Sequence, residues 1–371
     1  MADVTMKRLS IRAVFIAAIH IVSLVAYPFA QGRAEDAPAQ ALHANAAIAD
    51  SENKHLSRTV LDMAGRTVAL PDHIEHVGTL GSVGVLNAFV GLMGEGGKIH
   101  NQMPAGFRNG NRWRFQLVFA PQIAEGPLFE GAGKELLVES IIMAKPDVCF
   151  TMTLETARIL ERHGIACVYL QWVNPEDIRE AVKLVGQVLD KEEKAAEYIA
   201  YFDAKTRLAT ELVRHIPKES RPKVLYGNPL SLSQPHAIAE WWITLAGGQS
   251  VTQRAQPGDY LSSYSLEDLL AWDPEVLFLG SPQLADELVK DARYRDIMAV
   301  KKRAFHYVPT VAHTWGNRTV EQPLTVLWAL HKLYPHLLSK EELAAEISFF
   351  YRHFFHYEMP DEQIFNIIEG R

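Results

Sequence analysis

Cysteine is almost missing from this chain: 371 residues contain two, Cys149 and Cys167. Two thiols cannot build a zinc knuckle or hold an iron–sulfur cluster. Both fall in short apolar runs of one β-α-β unit, and neighbouring parallel strands rarely set two sulfurs at bridging geometry. Two buried free thiols are therefore expected, even in a compartment that permits disulfides. Positive charge is also short. Lys and Arg number 37 against 44 Asp and Glu, and the net charge of −7 gives no general attraction to nucleic acid or an anionic bilayer. Beyond residue 26 no apolar run is long enough to span a membrane. Hydrolase signatures are missing too: there is no Gly-x-Ser-x-Gly, no His-Glu-x-x-His and no phosphate loop. These absences put binding ahead of catalysis.

The N-terminus has its own pattern. Lys7, Arg8 and Arg12 precede an apolar run over 13–26, followed by Pro28 and small residues up to Ala34. This is the order of a secretory signal peptide, assigned to 1–34, and it places the mature protein in the periplasm. No cysteine lies near the cleavage region, so no lipid anchor is expected. Residues 35–57, rich in Ala, Asp, Glu, Asn and His, read as a disordered leader.

What the chain does have is a duplication. Residues 138–150 and 266–278 each carry an acid, an amphipathic turn of helix, a Pro-acidic break and a short apolar strand. Glu139 and Pro146 in the first copy correspond to Glu267 and Pro274 in the second, 128 positions on. That offset is too long for a solenoid period and suits two similar lobes with a ligand cleft between them. Strand and helix alternate on either side, which predicts parallel sheets. The expected fold is α/β: two Rossmann-like lobes with central parallel sheets, joined by a single long helix. The N-terminal lobe is set at 58–173 and the interlobe spine at 174–217. The C-terminal lobe, with its terminal helices, is set at 218–371. Asn174 and Pro175 suit the start of the spine, and a break is expected near Asp190 and Lys191.

In this order the elements resemble the periplasmic binding proteins of ABC importers that carry siderophores, haem, cobalamin or related metal species. The resemblance covers about residue 58 to the C-terminus. It rests on the opening Val-x-Asp-x-x-Gly-Arg-x-Val hairpin at 60–68, both Pro-acidic strands, the mid-chain spine and the segment 324–335. It implies two lobes with modest hinge movement and no chemistry. It further implies that Glu139 and Glu267 dock onto arginines of a permease dimer in the membrane. Without the resemblance, the same acids are favourably placed at helix starts.

Loops at strand ends should line the cleft, and three of them carry unusual side chains. The first packs Arg108, Arg112 and Arg114 with Trp113, an arrangement for carboxylate or phosphate-like oxygens and for rings. As a bland alternative it is a solvated basic loop. The second carries His313, Trp315 and Arg318. His313 could ligate metal or donate to an oxyanion, Trp315 could stack, and Arg318 could meet negative charge or brace Glu321 three residues on. The third carries His236, with Tyr226 and Tyr260 behind it; in iron-chelate-binding relatives a His or Tyr of the second lobe reaches the metal. His236 and His313 are thus candidate metal contacts through the bound ligand.

The leading functional expectation is a monomeric periplasmic solute-binding component that captures a metal chelate between the lobes and hands it to the permease. It needs no intrinsic cofactor and no nucleic acid; the chelate or anion is its cargo. The alternative within the same fold is an inorganic oxyanion of the molybdate or tungstate type, or a nickel or cobalt complex. An exported sensor or enzyme is the distant alternative.

Overall fold

Two parallel sheets, each flanked by helices, face one another across a seam. The computed structural model describes residues 56–371, apart from 109–110, 235 and 255–260. The signal peptide and nearly all of the expected leader lie outside the described residues.

The chain enters through an antiparallel hairpin of β1 (Leu56–Leu61) and β2 (Thr67–Pro71), so strand begins two residues inside the expected leader. The hairpin motif has a physical reason. The buried Asp62 carboxylate accepts the Ala64 and Arg66 backbone N–H groups at 3.0 and 2.9 Å, the Arg66 guanidinium, and the Tyr169 N–H at 3.1 Å. Gly65 supplies the left-handed turn at φ +76°. Arg66 also reaches the Cys167 carbonyl at 2.7 Å, which fastens the hairpin to the first sheet.

That sheet is β3 (Val77–Leu80), β4 (Val148–Thr151) and β5 (Cys167–Tyr169), parallel and in that order. Cys149 and Cys167 are register partners across β4 and β5, and both are buried and outside any disulfide. The second sheet comprises β6 (Lys223–Tyr226), β7 (Gln249–Ser250), β8 (Val276–Leu279) and β9 (Phe305–Tyr307) in the order β7-β6-β8-β9, again parallel. The duplication is structural. The helices Val138–Ala144 and Leu266–Trp272 precede β4 and β8, and each ends on a left-handed residue just before proline, Lys145 at φ +50° and Asp273 at φ +46°. A left-handed residue followed by proline stops a helix sharply, so one local signal builds the same corner twice.

The break expected near Asp190 is present, but it folds the connector back on itself where a single long helix was expected. Helix Pro175–Val188 opens on an Asn174/Asp177 capping box, and Asp190 turns left-handed at φ +54°. Helix Glu192–Val213 then runs back along the first. Arg179 Nε donates to Asp203 at 2.8 Å, and a Cβ on Gly186 would stand 2.7 Å from that of Ala195. The connector is therefore a helical hairpin, and its second helix is the spine.

The last helix, Asp361–Ile368, packs on the second lobe through Trp328, whose Nε1 donates to the Ile368 carbonyl at 3.0 Å, while the helix before it reaches further. Helix Lys340–Phe355 lies on the spine, where Tyr201 meets Phe350 and Phe354 at ring distances of 5.7 and 5.6 Å. Its far end reaches the first lobe: Phe355 packs on Phe119 at 4.7 Å and fills the space beside Gly91. One apolar cluster accordingly runs through both lobes, from Phe89 and Phe150 to Trp242 and Trp328. Two smaller clusters lie beyond it, one around Leu277 and one around Phe129.

Candidate functional site

The seam holds a cavity of about 250 Å³ that is open on one side. The first lobe lines it with Gly81, Ser82, Gly84, Val85, Phe107, Lys134, Met152 and Trp172, and the second with His236, His313, Asn317 and Arg318. Gly81, Met152 and Trp172 lie just past the carboxyl ends of β3, β4 and β5, where ligands of parallel sheets bind.

Its first wall is the start of helix Val83–Leu92, whose N-cap Ser82 makes no side-chain cap bond. First-turn N–H groups have no partner within their own helix and carry the positive end of its dipole. An anion already uses this turn: the Glu130 carboxylate accepts the Gly81 N–H with both oxygens at 3.0 Å. Burial pushes the Glu130 carboxyl up, and the Gly81 bond pulls it down. Gly84 keeps the approach close, because a Cβ there would lie 3.3 Å from Phe107 and 3.4 Å from His313.

The opposite wall is the loop from β9 to helix Gln322–Leu333, organised by Glu321 beneath it. This fully buried carboxylate accepts the Ala312 and His313 N–H groups at 2.9 and 2.7 Å, Trp315 Nε1 at 3.0 Å, the Thr319 hydroxyl at 3.0 Å, and the Tyr351 hydroxyl. Burial raises its carboxyl to about 6, against the opposing pull of these donors. The expected Arg318–Glu321 brace does not form, since Glu321 serves the loop. Arg318 crosses the seam instead: it donates to the Trp172 carbonyl at 2.9 Å, and Trp172 Nε1 donates back to the Arg318 carbonyl at 3.2 Å.

His236 and His313 face the cavity from two different loops. Burial, then the Arg318 charge, pulls His236 down to about 4. Burial, then His236, pulls His313 down to about 3, and its buried Nδ1 has no hydrogen-bond partner. Both rings are neutral at pH 7, so each offers one N–H and one lone pair. Among the described residues, no three His, Cys, Asp or Glu converge as a metal-binding group.

The other expected site residues divide by position. Arg112 reaches across the seam to the Thr314 hydroxyl at 3.1 Å and lines a neighbouring cavity of about 530 Å³ with Tyr226, Ser231 and Ser281. Trp113 stands behind the site, 5.1 Å from the His313 ring and 5.0 Å from Phe107. Arg108 and Arg114 do not line the small cavity. Arg108 approaches the Ala124 carbonyl at 3.5 Å, and Arg114 lies over the Phe115 ring at 4.7 Å. Trp315 is fully buried against Glu321 and is part of the loop's interior. Tyr260 lies outside the described residues. Ser82, Lys134, Met152, Trp172 and Asn317 were not picked out from the sequence. Gly81-Ser82, a turn between a strand and a helix, carried a usable signal; Lys134, held at φ +66°, carried none.

Comparison with known proteins finds relatives of the same fold. A model described as "Periplasmic binding protein" matches residues 130–312. The chain is 22% identical over 330 residues to the molybdate-binding protein MolA of Haemophilus influenzae, covering 80% of this chain and 91% of that protein. The structure of MolA bound to molybdate superposes with a TM-score of 0.69 at 20% identity, over 82% of this chain and 99% of that one. A periplasmic solute binding protein from Veillonella parvula gives 0.71 at 22% identity, covering 84% and 96%. CeuE of Helicobacter pylori with Ni(II) bound gives 0.65 at 14%, covering 83% and 99%.

Proposed function

We propose that this periplasmic binding protein of the ABC-transporter kind carries a small tetrahedral oxyanion of the molybdate or tungstate type. The observation that carries this reading is the cavity itself. At about 250 Å³ it is smaller than the ~300–1,000 Å³ of sites for drug-sized molecules. Its chemistry favours negative charge: Arg318, Lys134, a helix start and two uncharged histidine rings line it, and among the described residues no Asp or Glu does. Neutral imidazole N–H groups and backbone N–H groups donate to oxygen without the desolvation cost of further full charges. The likeness to MolA supports the same class.

This reverses the preference drawn from the sequence, where a metal chelate came first. The chelate reading keeps one observation in its favour: the buried, unpartnered Nδ1 of His313 beside a second neutral histidine. A metal arriving with its own ligands could take its last donors from that pair. Glu139 and Glu267 are both exposed on the first turns of the duplicated helices, which suits docking to arginines of the permease. The N-terminal signal peptide would place the carrier in the periplasm, and the site serves capture rather than turnover.

Titration calorimetry tests the cargo class. Molybdate and tungstate should bind saturably, one per chain, with affinity unchanged by EDTA. Silence with both oxyanions, together with EDTA-sensitive binding of a nickel–histidine or ferric chelate, would transfer the site to the second reading.

A further inference from the structure

We propose that Gln116 fixes the aperture of the cargo cavity, and through it the size of anion the cleft accepts. The size-selection half rests on the oxyanion reading above; the aperture half does not.

Gln116 sits on the short helix Arg114–Phe119 of the first lobe and is buried. One of its amide N–H groups donates to the Gly84 carbonyl at 2.7 Å; the other donates to the carbonyl of Ala312, in the second lobe. Those two carbonyls belong to the two segments that face each other across the cargo, the start of helix Val83–Leu92 and the His313 loop. Only the NH₂ end of the amide can face two carbonyls, so the side-chain orientation follows from its surroundings. The remaining amide oxygen accepts from Asn87 Nδ2 at 3.0 Å, and the Asn87 oxygen accepts from the Thr79 hydroxyl at 2.8 Å. Thr79, Asn87 and Gln116 are all buried, and Thr79 belongs to β3. The chain of bonds thus runs from the first sheet through one amide nitrogen to the opposite lobe.

This nitrogen sets an upper limit on the seam, because opening it takes the amide donor away from the Ala312 carbonyl of the second lobe. A lower limit stands beside it. The position a Cβ would take on Gly84 is 3.4 Å from His313, so the walls are already near contact there. On the far side, Glu321 grips the Ala312 and His313 N–H groups, so the loop that Gln116 holds is itself stiff. Cavity width is fixed from both sides, and Gln116 is a positioning residue that touches no cargo.

The test uses the full chain with spin labels at E155C and D286C, exposed positions on the two lobes, combined with Gln116→Ala or Gln116→Asn. Alanine removes both donors; asparagine keeps an amide too short to reach both carbonyls, and it serves if the alanine variant fails to fold. In the ligand-free protein, the interlobe distance distribution should broaden and lengthen in either variant. The ratio of molybdate to sulfate affinity should change by about tenfold, on the order of one buried hydrogen bond. A residue with a merely structural role would lower the melting temperature and leave distribution and ratio alone. Unchanged distributions in the folded variants would overturn the proposal. If the wild-type chain binds neither oxyanion, the cargo reading fails while the distance measurement still judges Gln116.

Discussion

Arg318 is the one arginine among the described residues that lines the small cavity, and it also ties the seam through the Trp172 carbonyl. Arg318→Ala should weaken oxyanion binding by roughly 10- to 100-fold, the worth of one charge-assisted hydrogen bond. Arg112→Ala, at the adjoining cavity, should cost less; calorimetry on the two variants checks the order, and equal losses would contradict it. A second prediction concerns pH. Burial holds His313 near 3 and both His236 and His306 near 4. The unfolded chain takes up protons below about pH 6.5 that the folded chain refuses, so stability is full above that value and falls as pH drops. At pH 5.5 each such histidine costs about 1.4 kcal/mol. Glu321, raised to about 6, works the other way: the folded carboxyl keeps a proton that the unfolded one releases, which returns less than about 1 kcal/mol there. Urea midpoints should therefore fall between about pH 7.5 and 5.5; a flat or rising profile would refute the burial of these rings. His236, His313 and Arg318 line the small cavity and were legible as candidates because histidine and arginine on strand-end loops are uncommon for packing alone. Trp315 was misread because an indole is equally at home in a core, and only Glu321 beneath the loop decides which way it turns.

The duplicated helices were legible because their stop signal is local: a left-handed residue, then proline, then an acid, repeated at one offset. Their exposed first-turn acids carry the docking prediction. Glu139→Lys or Glu267→Lys should abolish uptake in cells while leaving oxyanion affinity in solution unchanged, and normal uptake would remove these helices from the permease interface. The connector was less legible. Its two periodic segments show an apolar face each, but the fold-back depends on a glycine that lets two backbones approach. Gly186→Ala would press a methyl against Ala195 and the Lys191 carbonyl, 2.7 and 3.1 Å away. A loss of roughly 1–3 kcal/mol in chemical denaturation is expected from such overpacking, and a neutral result would argue against the helical hairpin. Helix Lys340–Phe355 eluded the sequence for a similar reason: its pattern shows which face is apolar, not that the face spans two lobes.

The two lobes do not behave as separate domains on a flexible tether. One apolar cluster continues through the seam, and the spine and the helix Lys340–Phe355 pack along each other across it. Polar bonds cross as well, from Arg112 to the Thr314 hydroxyl at 3.1 Å and from Arg318 to the Trp172 carbonyl at 2.9 Å. On the proposed reading, packing of this kind favours a small closing adjustment and suits a compact anion better than a bulky chelate. Native mass spectrometry with elemental analysis of the protein purified from its own periplasm tests this most directly. One molybdenum or tungsten atom per chain, held as a bare oxyanion with no organic mass, is the expected result. Iron, nickel or cobalt accompanied by an organic ligand would contradict it.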